Sequence, residues 1–151
     1  MPEILLSQSE ADRLLATEKQ AALGEKPLFP DPGAGKIKVE VELRSNDNKE
    51  SFLLDVSRSR MKISKATYQH RVRQVIILAR VDLDGPPHRN PDGVEMPCPH
   101  LHVYREGFGA KWAGPLPPNF SNPNDLWQTF EDFCDFCNII GPTPIERGLL
   151  A

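Results

Sequence analysis

Proline sets the tightest limits on how this chain can fold. Fifteen of its 151 residues are proline, about twice ordinary usage. They gather at positions 27–32, 86–99, 115–123 and 142–144. The ring fixes φ and removes the amide donor, so proline neither continues a helix nor serves the interior of a ladder. The four clusters therefore mark loops and strand edges, and every regular element has to fit between them.

The clearest element is a strand in which Ile37, Val39, Val41 and Leu43 alternate with Lys36, Lys38, Glu40, Glu42 and Arg44, the period of a half-buried strand. Ser45-Asn46-Asp47-Asn48-Lys49 is turn chemistry. Phe52, Leu54 and Val56 alternate on the return strand, which completes a hairpin. A third strand is expected over about 61–68. Val75-Ile76-Ile77-Leu78-Ala79 is apolar on both faces and reads as a buried central strand. Leu101, Val103 and Trp112 suggest two more short strands around the Gly107-Phe108-Gly109 turn.

Helices bracket this strand region. Ser7-Gln8-Ser9-Glu10 has the form of a capping box, opening a helix to about Leu23 that Gly24 ends. Gly33-Ala34-Gly35 leads into the first strand. Asn124-Asp125 caps a second helix with Leu126, Phe130, Phe133 and Cys137 at helical spacing and Glu131, Asp132 and Asp135 opposite. Gly141-Pro142 is its expected stop. The class is α+β: an antiparallel β-meander of five or six strands, with an N-terminal helix and a C-terminal helix packed on the sheet. One domain spans 1–151, with a peripheral helix and Pro/Gly-rich linker over 1–35 and a core over 36–140.

Composition narrows the setting. Hydrophobic residues at 39% and charged residues at 26% are an ordinary globular balance. There is no apolar run of membrane-spanning length. Met1-Pro2-Glu3-Ile4-Leu5-Leu6 lacks a basic start and a long apolar run, so it does not read as a signal peptide. Three cysteines do not make a disulfide framework. A cytoplasmic protein without membrane partners is the expectation.

Charge is unevenly spread. Residues 1–55 carry 11 acidic and 7 basic side chains, and residues 82–151 carry 10 and 4. Between them, Arg58, Arg60, Lys62, Lys65, Arg71, Arg73 and Arg80 have no acidic company. Either this segment is a solvated face that pairs with the acidic flanks, or it is a surface for nucleic acid. Arg58, Arg60, Lys62, Arg71, Arg73 and, further on, Lys111 are the candidate RNA contacts.

Chemistry concentrates between residues 85 and 115. Three of the four histidines lie in Gly85-Pro86-Pro87-His88-Arg89-Asn90-Pro91-Asp92-Gly93 and Pro99-His100-Leu101-His102. Asn90-Pro91-Asp92-Gly93 is a turn signal that folds His88 back toward His100 and His102. Residues two apart on a strand face one way, roughly 6.6 Å apart along the chain. His100 and His102 therefore project together while Leu101 and Val103 face the core. Such imidazoles suit acid–base catalysis near neutral pH or metal ligation. They also suit plain polar roles, a loop cap for His88 and solvent-side positions for the other two.

Cys134 and Cys137 have zinc spacing, and Cys98 lies two residues before His100, which allows a Cys98/His100/Cys134/Cys137 site. Cys137 also belongs to the apolar stripe of the second helix, where free cysteine acts as a small hydrophobe. Tyr104 and Trp112 could stack on bases, although Trp112 equally suits the core. Arg105 and Lys111 extend the positive surface. There is no phosphate-binding glycine loop and no local Ser-His-Asp pattern.

Phe52-Leu53-Leu54-Asp55-Val56, the Gly85-to-Gly93 run, and Pro99-His100-Leu101-His102-Val103-Tyr104-Arg105-Glu106-Gly107 with Lys111-Trp112-Ala113 resemble a domain-of-unknown-function family of small bacterial and phage-borne proteins. The resemblance covers about 51–138 and implies a prophage, toxin–antitoxin, defence or counter-defence setting. Together these features lead to the expectation of a metal-independent, ribonuclease-like toxin or defence effector without a cofactor. His100 and His102 would be its acid and base, with His88 and Arg105 assisting. The competing expectation is a non-enzymatic counter-defence protein or antitoxin that binds a protein partner through the acidic helix face. Histidines converging in a positive concavity favour the first, and histidines spread over a convex surface favour the second.

Overall fold

The computed structural model describes residues 6–22, 36–142 and 145–151. Helix α1 is Gln8–Ala16 and strand β1 is Lys19–Ala21. Strands β2 to β5 follow at Lys36–Ser45, Ser51–Ser59, Ala66–Val72 and Ile76–Leu83. A short hairpin pairs β6 (His88–Arg89) with β7 (Glu95–Met96). Strands β8 (His100–Val103) and β9 (Ala113–Pro115), helix α2 (Leu126–Phe136) and a 3-10 turn at Arg147–Leu150 complete the chain.

The main sheet has seven antiparallel strands in the order β1-β2-β3-β4-β5-β8-β9. It is a meander into which the β6–β7 hairpin is inserted, so it is larger than the five or six strands expected. The β2–β3 hairpin has the expected register, with Val39 opposite Val56, Val41 opposite Leu54 and Leu43 opposite Phe52. All six are buried. Strands β2 to β5 and β8 send alternate apolar residues to one face, where α1 contributes Ala11 and Leu14 and α2 contributes Leu126, Phe130 and Phe133. The other face carries the intervening polar residues.

Several expected boundaries move. Helix α1 stops at Ala16 because Thr17 turns extended at the C-cap, and the chain then adds β1 to the sheet edge. Its Ser7 cap is present, with Ser7 Oγ accepting from Glu10 N at 3.1 Å, but the Glu10 carboxylate turns to Arg13 and Arg73. The third strand starts at Ala66, since residues 61–65 form a surface loop with Met61 92% exposed. Strand β5 runs on to Leu83, and Val75 lies in the exposed turn before it. Helix α2 is capped by Asp125 and ends at Phe136, with Asn138 taking φ +57°. Asp132 is not on an exposed acidic face. It is buried and accepts from Ser121 N and Gln128 Nε2. The expected Gly24 stop, the linker to Gly35 and the 143–144 segment lie outside the described residues.

One polar group ties the core together. Lys19 is fully buried, and its Nζ donates to the backbone oxygens of Leu14 at 2.9 Å, Leu15 at 3.1 Å and Cys137 at 2.8 Å. It thereby satisfies carbonyls at the C-terminal ends of both helices, groups that a helix cannot serve itself. It also reaches His70 Nε2 at 3.2 Å and lies over the Phe52 ring. Burial lowers the Lys19 pKa to about 8. Burial, with Lys19 alongside, lowers that of His70 to about 3.

Candidate functional site

Antiparallel register places the first side chains of the candidate site. Asp82 of β5 lies opposite His100 of β8, and Arg80 lies opposite His102. Thr67 of β4 lies opposite Asp82 from the other side. These residues share the sheet face away from the helices, while Leu101 and Val103 turn to the core as their alternation requires.

The β6–β7 hairpin then covers this patch. Its turn closes through Gly93 N donating to Asn90 O at 2.8 Å, with Gly93 at φ +88°, where a side chain would be strained. Asn90 does more than turn the chain. Its amide donates to Ala113 O at 3.0 Å and its side-chain oxygen accepts from Ala113 N at 2.8 Å. The hairpin is thus clamped to β9, and His88 is held over the other histidines. Ring centroids are 4.6 Å apart for His88–His102, 5.0 Å for His100–His102 and 6.0 Å for His88–His100. His100 and His102 are only 2% and 5% exposed. They are not solvent-side residues on an edge strand, because β8 is paired on both sides and the hairpin lies above it.

Asp82 is the centre of the group. Its Oδ1 accepts from Thr67 Oγ1 at 2.9 Å and Arg80 Nε at 3.0 Å. Its Oδ2 lies 3.1 Å from His100 Nε2 and 3.3 Å from His102 Nε2. Burial pushes its pKa up, but hydrogen bonds from His102, Thr67 and Arg80, with the Arg80 charge, outweigh that and hold the carboxyl well below the usual range. Asp82 is therefore a carboxylate throughout the neutral range.

Each imidazole also has one nitrogen on a backbone carbonyl: His102 Nδ1 on Ala110 O at 2.7 Å, His100 Nδ1 on Pro97 O at 3.3 Å, and His88 Nε2 on Lys111 O at 2.7 Å. A carbonyl only accepts, so those nitrogens carry the hydrogens. Nδ1 of His88 is left for chemistry, while Nε2 of His100 and of His102 face the Asp82 carboxylate, where a hydrogen would make either ring an imidazolium. An open cavity of about 280 Å³ borders the group, lined among others by Lys65, Arg80, Asp82, His88, Cys98 and His100. His102 sits behind it.

The other site candidates are dispersed. Arg105 is exposed and stacks on Trp112 at 4.3 Å, outside the cavity lining. Trp112 is half-buried, with Phe108 edge-on to its ring. Arg58 donates to the backbone oxygens of Ile63, Leu149 and Ala151. Lys62 pairs with Asp84, and Arg73 pairs with Glu10 and Glu50. Arg71 makes two bonds to Asp55, at 2.7 and 2.9 Å, and reaches Glu40. Arg60 and Lys111 are exposed. A shallower depression of about 910 Å³ holds Arg71 and Arg73 farther along the same face, but the carboxylates already neutralise its arginines. Cys134 and Cys137 are buried in the core, where burial pushes the Cys134 thiol up to about 12 and holds that of Cys137 well above its ordinary value. Neither belongs to the Asp82 group.

The sequence reading missed Asp82, Thr67 and Arg80. Their one local signal was the alternation of Arg80 and Asp82 with Ala79, Val81 and Leu83, which marks a polar strand face.

A family described as a family of unknown function (DUF6978) matches residues 6–139. No curated protein and no solved structure matches the chain.

Proposed function

We propose that the chain, which belongs to the family of unknown function DUF6978, cleaves RNA by histidine acid–base chemistry at the Asp82–His88–His100–His102 cluster. The observation that carries this is the convergence of three imidazoles and one carboxylate beside a cavity edged by Lys65 and Arg80. A binder of protein partners gives no reason for such convergence. Its acidic helix face is also reduced to Glu131 and Asp135, since Asp132 is buried.

His88 Nδ1 is the free nitrogen on the exposed side of the group, and it accepts the proton of the attacking 2′-hydroxyl. His100, with Nε2 on Asp82, gives the leaving 5′-oxygen the Nδ1 proton that it otherwise directs at Pro97 O, and His102 supports Asp82 through its own Nε2. Lys65 and Arg80 line the same cavity and suit the charge that develops on the phosphorus-bound oxygens. Exposed Lys111 and Arg60 suit backbone phosphates. Membrane insertion forms no part of this scheme, and no helix among the described residues is long and apolar enough to cross a membrane. An activity of this kind suits a cytoplasmic toxin or phage-defence effector, the setting implied by the motif resemblance.

The test is incubation of the purified chain with a labelled single-stranded RNA across pH. The expected result is product ending in 2′,3′-cyclic phosphate, with a bell-shaped pH–rate profile from one acid and one base. Absence of cleavage, or ends other than cyclic phosphate, overturns the proposal.

A further inference from the structure

We infer that Asp82, His100 and His102 form a binding site for one divalent transition-metal ion of the imidazole-preferring class. With Nδ1 of His102 and of His100 donating to the Ala110 and Pro97 carbonyls, each neutral ring presents a lone pair at Nε2. Both lone pairs face the same acceptor, Asp82 Oδ2, at 3.1 and 3.3 Å. Acceptors gathered around an acceptor repel one another, so the arrangement calls for positive charge at its centre.

Protons could supply that charge, but a second imidazolium in this buried pair would have no second carboxylate to meet it. A divalent ion supplies it without that conflict. Three further features agree. An Nδ1–H bond to a carbonyl is how metal-ligating histidines are oriented. The Asp82 Oδ1 is already occupied by Thr67 and Arg80, which aims the other oxygen as a single ligand. Ligands about 2.0–2.2 Å from a tetrahedral metal lie about 3.4 Å apart, close to the 3.1 and 3.3 Å found here.

The donor set is two nitrogens and one oxygen, all within 4.8 Å of one another. It suits zinc, cobalt(II) or nickel(II) better than magnesium or calcium, which prefer oxygen cages. Three protein ligands leave a position open, and Asp82 and His100 both line the cavity, so water or a phosphate oxygen could reach the ion. Ion and proton compete for the His100 ring, so the acid role of His100 proposed above belongs to the ion-free chain, and the loaded site keeps only His88 as the proton acceptor. Ion binding stands on geometry alone and needs no RNA chemistry, so its failure and that of the proposed activity are separable.

The experiment is titration of the purified, metal-stripped chain with cobalt(II) at pH 7.5, read by calorimetry and visible absorption. The expected result is one equivalent bound with ligand-field bands of nitrogen–oxygen coordination. Affinity should fall at pH 5.5, because the imidazoles must be neutral to ligate. Asp82→Asn and His102→Ala should each weaken binding at least about 10-fold, and Cys98→Ala should leave it unchanged. Thr67→Val keeps all three ligands while releasing Oδ1, and should weaken binding about 10-fold if Asp82 is oriented as described. It serves as the check where a ligand variant fails to fold. Absence of saturable binding overturns the assignment, as does affinity unaltered in the folded variants. So does a thiolate-to-cobalt charge-transfer band that Cys98→Ala removes.

Discussion

Replacing His70 with glutamine should flatten the acid side of the stability curve. His70 Nδ1 donates to Leu53 O at 3.2 Å, and its Nε2 receives the Lys19 ammonium at 3.2 Å. The ring is therefore neutral, and protonating it would bring a second cation against Lys19 inside the core. Its folded pKa of about 3 lies below the ordinary histidine value of 6.5. Between these values the unfolded chain binds a proton that the folded chain refuses, so stability falls as pH drops through 6.5. The loss accumulates to about 3 kcal/mol between pH 7.5 and 4.5, most of it below pH 6.5. Glutamine can accept from Lys19 and donate to Leu53 without titrating. It loses the stacked contact with Phe52, whose ring centroid is 5.3 Å away, at a cost of about 1–2 kcal/mol at neutral pH. Urea unfolding of both proteins at pH 7.5, 6.5, 5.5 and 4.5 isolates the effect, because other titrating groups are common to both. The variant should start less stable and lose about 3 kcal/mol less by pH 4.5. Parallel stability curves would refute the assignment of a neutral, proton-refusing His70.

Other perturbations separate core, ion pairs and surface. Val41→Asp places an unpaired carboxylate opposite Leu54 in the closed part of the sheet and should cost about 3–5 kcal/mol by chemical unfolding. Arg71→Ala strips the buried Asp55 of its bidentate partner and should cost about 3 kcal/mol, a loss of stability before any loss of RNA contact. Lys111→Ala, at an exposed position, should leave stability unchanged and reduce the salt slope of RNA binding by about 0.7, one phosphate contact.

How much of this was legible in the sequence follows from whether the cause was local. The β2–β3 hairpin was readable because charged residues separate each of Ile37, Val39, Val41 and Leu43, so a one-residue slip would turn the charges into the core. The Asn90–Gly93 turn and the shared direction of His100 and His102 were readable for the same reason, since turn chemistry and the strand period are local properties. Strand β1 was not, because Lys19-Gln20-Ala21 has no apolar alternation and is held by carbonyls at the ends of two helices. Asp82 was invisible as a site residue, since a lone carboxylate in a strand gains meaning only from the register that sets it against His100. Burial of His100 and His102 likewise depended on Asn90 clamping the hairpin to Ala113, a long-range bond that turn chemistry does not announce. The pairing of the basic segment with Glu10, Glu40, Glu50, Asp55 and Asp84 was foreseeable as one alternative, but its partners come from the fold.

The central claim is that His88, brought over the Asp82 group by the hairpin, moves a proton during RNA cleavage. The most direct measurement is the single-turnover cleavage rate of His88→Ala beside the unaltered chain at its optimum pH, with folding of both checked by circular dichroism. His88 is partly exposed on a two-residue strand, so the variant should fold. Its rate should fall about 10²–10⁴-fold, as loss of a general base requires, and the acidic limb of the pH profile, which reports deprotonation of the base, should give way to a rate that rises with hydroxide concentration up to the pKa of the remaining acid. A folded His88→Ala that cleaves RNA at the unaltered rate would contradict the account.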